Sequence, residues 1–267
     1  MLNNCSGDII VRGCGDDIHK PHRVSATVAA FNENPGTHIL CGCWDLINED
    51  GSPSIKTHKV IFENHLLTNS FTQYNQLQCF LISKQFGGYW GVTAAYRRSV
   101  FTQFDELPDD IIHDDTLMSF RGLLLGKGLW LKDYLVDYRR RSGQVTDGGG
   151  GDLYHREKKM ALSSKNDLVM TVCYGKDLSR FVSQATSELD YKGIVAMINN
   201  EAMWRDLHAN WWDYSYVKRL AIFYKLIFSR DRVPRDFMAR RILPYALFPL
   251  NNMVVNSAIT LKRGLGL

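Results

Sequence analysis

His113-Asp114-Asp115-Thr116-Leu117-Met118-Ser119-Phe120 opens the run whose reading decides the fold. The acidic pair leads an apolar series with helical spacing that closes at Gly126, which predicts a helix over this stretch. Asp114 and Asp115 belong in its first turn, where the helix dipole favours negative charge. Residues 129–138 then alternate as a strand does and end in Tyr138-Arg139.

Upstream, Gly7-Asp8-Ile9-Ile10-Val11-Arg12 is a short apolar run between turn residues and reads as a buried strand. A second acidic pair follows in Gly15-Asp16-Asp17-Ile18-His19-Lys20-Pro21. Pro21 starts a helix whose apolar positions Val24, Val28, Ala29 and Phe31 share a face, and it stops at Asn34-Pro35-Gly36. Residues 38–47 are β-rich and reach an Asp50-Gly51 turn, which suggests a hairpin or a sheet edge. Residues 66–83 read equally as helix or extended chain. Gly87-Gly88-Tyr89-Trp90-Gly91 reads as a loop leading to a short strand and helix over 92–101.

The glycines at 148–151 cannot hold regular structure without a large entropic cost, so they mark a boundary. Strands and helices alternate before them, and long helical patterns rich in Trp, Tyr and Arg follow. The expected organisation is an α/β domain over 1–147, a glycine linker at 148–151 and a helical region over 152–267.

Composition narrows the classes. With 45% hydrophobic residues the chain can bury a substantial core, and a net charge of +4 is too small for a dedicated nucleic-acid binder. The six cysteines show neither zinc-like spacing nor a secreted disulfide pattern. Cys41 and Cys43 read as small buried hydrophobes of one strand face. No signal peptide and no apolar run long enough to span a bilayer is present, so the expected compartment is the cytosol or its membrane face.

The carboxylates carry the chemistry. Asp16 and Asp17 follow a strand, where α/β folds bind ligands, and hard divalent cations take one or two carboxylates plus phosphate oxygens. Asp114 or Asp115 could act as a general base. Acidic residues beside a helix start also occur with no function beyond capping, and that reading stands beside the catalytic one. Trp90 suits stacking on a sugar ring or a place in the core.

In order and spacing these motifs resemble the inverting family 2 glycosyltransferases of GT-A fold. Cys14-Gly15-Asp16-Asp17-Ile18-His19-Lys20-Pro21 is similar to that family's metal motif. The glycine loop at 87–91 and Tyr96-Arg97-Arg98-Ser99 resemble its acceptor loop and the segment after it. Asp114-Asp115 resembles its Glu-Asp motif, with Asp115 in the place of the base, Arg121 in that of a recurrent helix arginine and Gly126 in that of a glycine. Leu135-Val136-Asp137-Tyr138-Arg139-Arg140-Arg141 resembles its closing motif. The resemblance covers about residues 1–146. It implies a GT-A-type mixed sheet with a helical tail, catalytic Asp115 and Asp114, and metal-binding Asp16 and Asp17 with Mn²⁺ or Mg²⁺. Acceptor or substrate contacts would come from Gly88, Tyr89, Trp90, Arg97, His113, Arg121 and Arg139.

The implied activity is inverting transfer of a sugar from a nucleotide-sugar to a glycan or lipid-linked acceptor, as in assembly of a bacterial surface polysaccharide such as O-antigen. Three departures matter. Cys14 stands where many members have an Asp, and Arg141 where a His often closes the motif. The front part that grips the nucleotide is also missing ahead of the metal motif, so the expectation is an N-terminally truncated member. That leaves a competing reading, a non-catalytic remnant that binds carbohydrate or protein. A metal-dependent hydrolase using the same carboxylates fits the motif order less well.

The tail adds one expectation. Residues 218–241 hold eight Lys and Arg against Asp231 and Asp236, interleaved with Leu220, Ile222, Phe223, Leu226, Ile227 and Phe228. Such a basic amphipathic helix suits an anionic membrane surface, or packs on its domain with the charges solvated.

Overall fold

The computed structural model describes residues 5–54, 69–83, 91–109, 111–141, 153–182 and 191–227. The chain divides into two compact units, residues 1–147 with 169–203, and residues 148–168 with 204–267.

The first unit is built on a five-stranded mixed sheet in the order β1-β4-β3-β5-β2. These strands are β1 (Ile9–Val11), β2 (Ile18–His19), β3 (Thr37–Ile47), β4 (Ala95–Arg97) and β5 (Lys127–Arg139). Only β3 and β5 run parallel; the other pairs are antiparallel. The expected α/β class with a mixed sheet is the one observed. The expected turn at Asp50-Gly51 is present, with the Asn48 N–H on the Ser52 carbonyl at 2.8 Å and Ile47 bridged antiparallel to Pro53, but the expectation of a sheet edge is corrected: β3 is the central strand, flanked on both sides. Its sequence explains the place, because nearly every residue of Thr-His-Ile-Leu-Cys-Gly-Cys-Trp-Asp-Leu-Ile is buried, as a strand covered on both faces requires.

The β3–β5 register runs from Thr37 opposite Lys127 to Ile47 opposite Arg139, with irregularities between Thr37 and Ile39 and on either side of Cys43. Gly42 lies there. A Cβ at Gly42 would come 2.5 Å from Leu135 Cδ1 and 3.0 Å from the Asp133 carbonyl, so only glycine lets the strands approach. Cys41 and Cys43 are both buried thiols, small hydrophobes of the core.

Helices cover the sheet. They are α1 (Arg23–Glu33), α2 (Gln73–Ser83), α3 (Ser99–Thr102) and α4 (Asp114–Leu125), followed by α5 (Leu153–Val182) and α6 (Tyr191–Asn210). Helix α4 begins at the acidic pair and ends at Gly126, and it buries Leu117, Met118, Phe120, Leu123 and Leu124. Each such side chain contributes about 1.5–3 kcal/mol relative to an exposed one. The Phe120 and Tyr174 rings lie 4.4 Å apart, and Met170, Leu178, Ile194 and Ile198 join the same core.

The buried face of α1 differs from the expected one. Arg23, Thr27, Ala30 and Phe31 are buried, whereas Val24 and Ala29 are exposed. The Arg23 guanidinium donates from Nη2 to the Arg12 carbonyl at 2.5 Å. That bond turns the Arg23 edge inward and rotates the apolar stripe partly into solvent.

The second unit centres on buried Leu207 and Trp211, ringed by Trp204, Trp212, Tyr214 and Ile222. It includes a 3₁₀ turn at Trp211–Asp213 and helix α7 (Tyr216–Ile227). Asp206 accepts from Tyr214 Oη and from Asn210 Nδ2, each at 2.7 Å, which fixes the turn. Arg205 pairs with Asp167 at 2.7 Å.

Candidate active site

The loop that leaves β1 carries the first acidic pair. Arg12 donates its N–H to the Ala94 carbonyl at 3.1 Å, and Ile18 and His19 pair with β5, so the loop is tied at both ends. Lys20 adds a further tie, 2.7 Å from Asp137 and 3.3 Å from Asp45.

Arg139, the last residue of β5, organises this loop. Its Nε donates to the Asp16 carbonyl at 2.8 Å and its Nη1 to the Glu49 carbonyl at 2.8 Å. Its backbone N–H donates to Asp17 Oδ1 at 2.9 Å. Asp16 Oδ2 faces Arg141 Nη2 at 2.7 Å. Asp17 Oδ2 is buried with no hydrogen-bond partner among the described residues. Burial raises the Asp17 pKa, the Arg139 N–H opposes the rise, and the Asp16 charge adds to it. Burial likewise pushes up the Cys14 thiol, with the Asp17 charge acting the same way.

The second acidic pair heads α4. Arg12 Nη1 lies 2.9 Å from Asp114 Oδ1. Burial works against the Arg12 charge, but Asp114, Tyr96 and Asp115 outweigh it and the pKa rises. Asp115 Oδ2 accepts the Gly91 N–H at 3.0 Å, and the Asp115 carbonyl accepts from Ser119 Oγ at 2.6 Å. Among the described residues, its other carboxylate oxygen has only Thr116 Oγ1, at 3.5 Å. Glycine at 91 leaves room for both side chains, since a Cβ there would lie 2.8 Å from Asp115 Oδ2 and 3.2 Å from Arg12 Nη1 and would force them to shift. His113 is the half-buried N-cap residue, and its carbonyl accepts the Thr116 N–H at 3.1 Å.

Two predicted arginines lie elsewhere. Arg97 donates to the carbonyls of Thr37 at 2.7 Å and Phe31 at 2.9 Å, and it stacks over the Phe31 ring, so it ties α1 to β3. Arg121 is 2% exposed, paired with Asp177 at 2.7 and 3.3 Å and stacked over Phe104. The structure therefore gathers Asp16, Asp17 and Arg139 at the end of β5, and Asp114, Asp115 and His113 at the head of α4. It does not bring Arg97 or Arg121 to them. Gly88, Tyr89 and Trp90 lie outside the described residues.

Sequence reasoning missed Arg12 and Arg23. Arg12 had a signal: a cation directly after an apolar triplet, which the structure leaves half-buried at the sheet edge, and four residues before Asp16. Arg23 had none, since an arginine in a first helical turn usually faces water. Here it is 1% exposed, its Nε and Nη1 have no partner among the described residues, and burial lowers its pKa.

Among the described residues, no group of three or more His, Cys, Asp and Glu side chains is arranged to hold a metal ion. The donor set at the loop is smaller: Asp16, with one carboxylate oxygen committed to Arg141, and Asp17, with one oxygen lacking a partner. That set fits a hard divalent cation that takes one or two carboxylates and draws its other ligands from a phosphate and water.

No protein-family model matches the chain, and no curated protein matches it. Among solved structures, the chain is similar to the crystal structure of S. aureus TarS 1–349 in complex with UDP-GlcNAc, with 12% identity and a TM-score of 0.47. The similarity covers 99% of this chain and 70% of that one. At this identity it assigns no residue a role.

Proposed function

We propose that the chain is an inverting glycosyltransferase that moves a sugar from a nucleotide-sugar to a glycan or lipid-linked acceptor, in assembly of a surface polysaccharide. One observation carries the reading. Arg12 leaves the loop that holds Asp16 and Asp17 and bonds Asp114, next to the expected base, so one short segment joins the two carboxylate pairs. The motif resemblance gives those pairs complementary tasks, and the joining supports reading them as parts of one site.

In this reading Asp115 takes the proton of the acceptor hydroxyl as its oxygen attacks the anomeric carbon. The new C–O bond forms as the bond to the diphosphate breaks on the opposite face, which inverts the centre. Asp115 suits the role because the Gly91 N–H fixes one carboxylate oxygen and leaves the other lightly held. Arg12 holds Asp114 beside it. A divalent metal held by Asp16 and Asp17 would supply charge neutralisation for the departing diphosphate. Arg139 keeps both aspartates in place.

The test is release of nucleoside diphosphate from a panel of nucleotide-sugars, beginning with UDP-GlcNAc, with and without glycan acceptors. Acceptor-dependent release is expected, and Asp115→Asn lowers turnover about 10²-fold or more while nucleotide affinity stays unchanged. Near-normal turnover in Asp115→Asn would rule the assignment out.

A further inference from the structure

Helix α7 is built inside out. Its Arg219 is 7% exposed, with the guanidinium 5.5 Å from the Trp212 ring centre and 5.9 Å from that of Tyr216. Meanwhile Val217 is 76% exposed, Leu220 38% and Tyr224 68%, and Ala221 is exposed as well. Positions 217, 220, 221 and 224 follow the spacing of a single helix face. A helix packed only for stability would do the reverse, burying the valine and leucine and solvating the arginine.

The charges carried by this helix have one sign. Helix α7 carries Lys218, Arg219 and Lys225 and no acidic residue. Lys218 is exposed beside the strip, its Nζ 3.6 Å from the Tyr214 ring centre. Residues 228–241, which lie outside the described residues, continue the bias with Arg230, Arg232, Arg235, Arg240 and Arg241 against Asp231 and Asp236. Tyr216, 44% exposed, adds an amphipathic ring of the kind that sits at headgroup depth.

We propose that α7 lies on an anionic lipid surface, with Val217, Leu220 and Ala221 entering the acyl boundary and Lys218 at the headgroups. The inference is independent of the transfer chemistry. An apolar strip on a helix that carries cations and no acid, followed by a basic segment, complements a negatively charged bilayer. A second copy is the poorer occupant, since two-fold pairing of this face sets like charges against each other. No described helix is long and apolar enough to cross a membrane, so the contact is one that lies along the surface.

The test is cosedimentation of the full chain with vesicles of phosphatidylcholine alone and of phosphatidylcholine mixed with phosphatidylglycerol. Binding to the mixed vesicles is expected, falling as salt shortens the screening length from about 10 Å at 0.1 M. Val217→Asp with Leu220→Asp should weaken binding at least about tenfold, as apolar burial and like-charge repulsion both act. Val217→Ser with Leu220→Ser is the milder pair, and it decides the matter if circular dichroism shows that the aspartates unfold the helix. The proposal is overturned by no vesicle binding, by equal salt-insensitive binding to both vesicles, or by serine variants that bind like the parent. A concentration-dependent dimer abolished by the same variants overturns it too, because the face would then belong to a second copy.

Discussion

Arg12 Nη1 lies 2.9 Å from Asp114 Oδ1, across 102 positions of sequence. The pair is partly exposed, so its Coulomb energy is modest. Its value is geometric, because Arg12 is also the last residue before the loop that bears Asp16 and Asp17. Arg12→Gln therefore leaves thermal stability within a few degrees of the parent and lowers kcat by at least about tenfold, as misplacement near reacting groups does. Differential scanning fluorimetry with initial-rate kinetics checks it; a parallel loss of melting temperature and rate would mark Arg12 as structural only.

Gly91 tests the second contact of the base. A methyl group at this position would overlap Asp115 Oδ2 and crowd Arg12. Gly91→Ala is expected to reduce kcat with little change in the KM for the nucleotide-sugar. An unaltered kcat would show that Asp115 can work from another rotamer.

Asp17 gives a prediction in pH. Burial raises its folded pKa above the ordinary 3.8. The unfolded chain then binds fewer protons at this group than the folded one across the window just above 3.8, so stability falls as pH rises through it. Asp17→Asn removes that dependence. Relative to the parent, the variant should gain stability at neutral pH and lose that advantage in acid, as urea titrations at several pH values would reveal. Identical pH profiles would mean that Asp17 titrates as it does unfolded.

Arg121 and Asp177 form a buried ion pair, each side chain less than 5% exposed. Burial raises the Asp177 pKa and Arg121 counters it. Arg121→Met strands a buried carboxylate and should destabilise by about 3–5 kcal/mol, whereas Arg121→Met with Asp177→Leu recovers most of the loss. Recovery of activity along with stability would place Arg121 in the scaffold. Stability without activity would return it to the substrate.

The sequence made the supports of the site legible more readily than its ties. Helix α4, its acidic first turn and its end at Gly126 could be read because apolar spacing, a dipole-favoured charge pair and a terminal glycine all coincide. Strand β5 could be read from alternation. The central place of β3 could not, because a nearby turn resembles a hairpin signal and only long-range pairing places a strand inside a sheet. The tilt of α1 was hidden for a similar reason: Arg23 faces inward to reach the Arg12 carbonyl, a partner that periodicity cannot reveal. Arg139 was singled out, but its grip on two loops at once depends on the β3–β5 register.

That grip has a kinetic consequence. Arg139 joins residues 90 and 123 positions away, Glu49 and Asp16, and both bonds require Ile47 to be already opposite Arg139. Parallel pairing across such separations is slow to form, since the intervening chain must close before any contact rewards it. The acidic loop is therefore among the last parts of the molecule to reach its final shape. A donor site built on this loop, as proposed above, is complete only when β3 and β5 have paired.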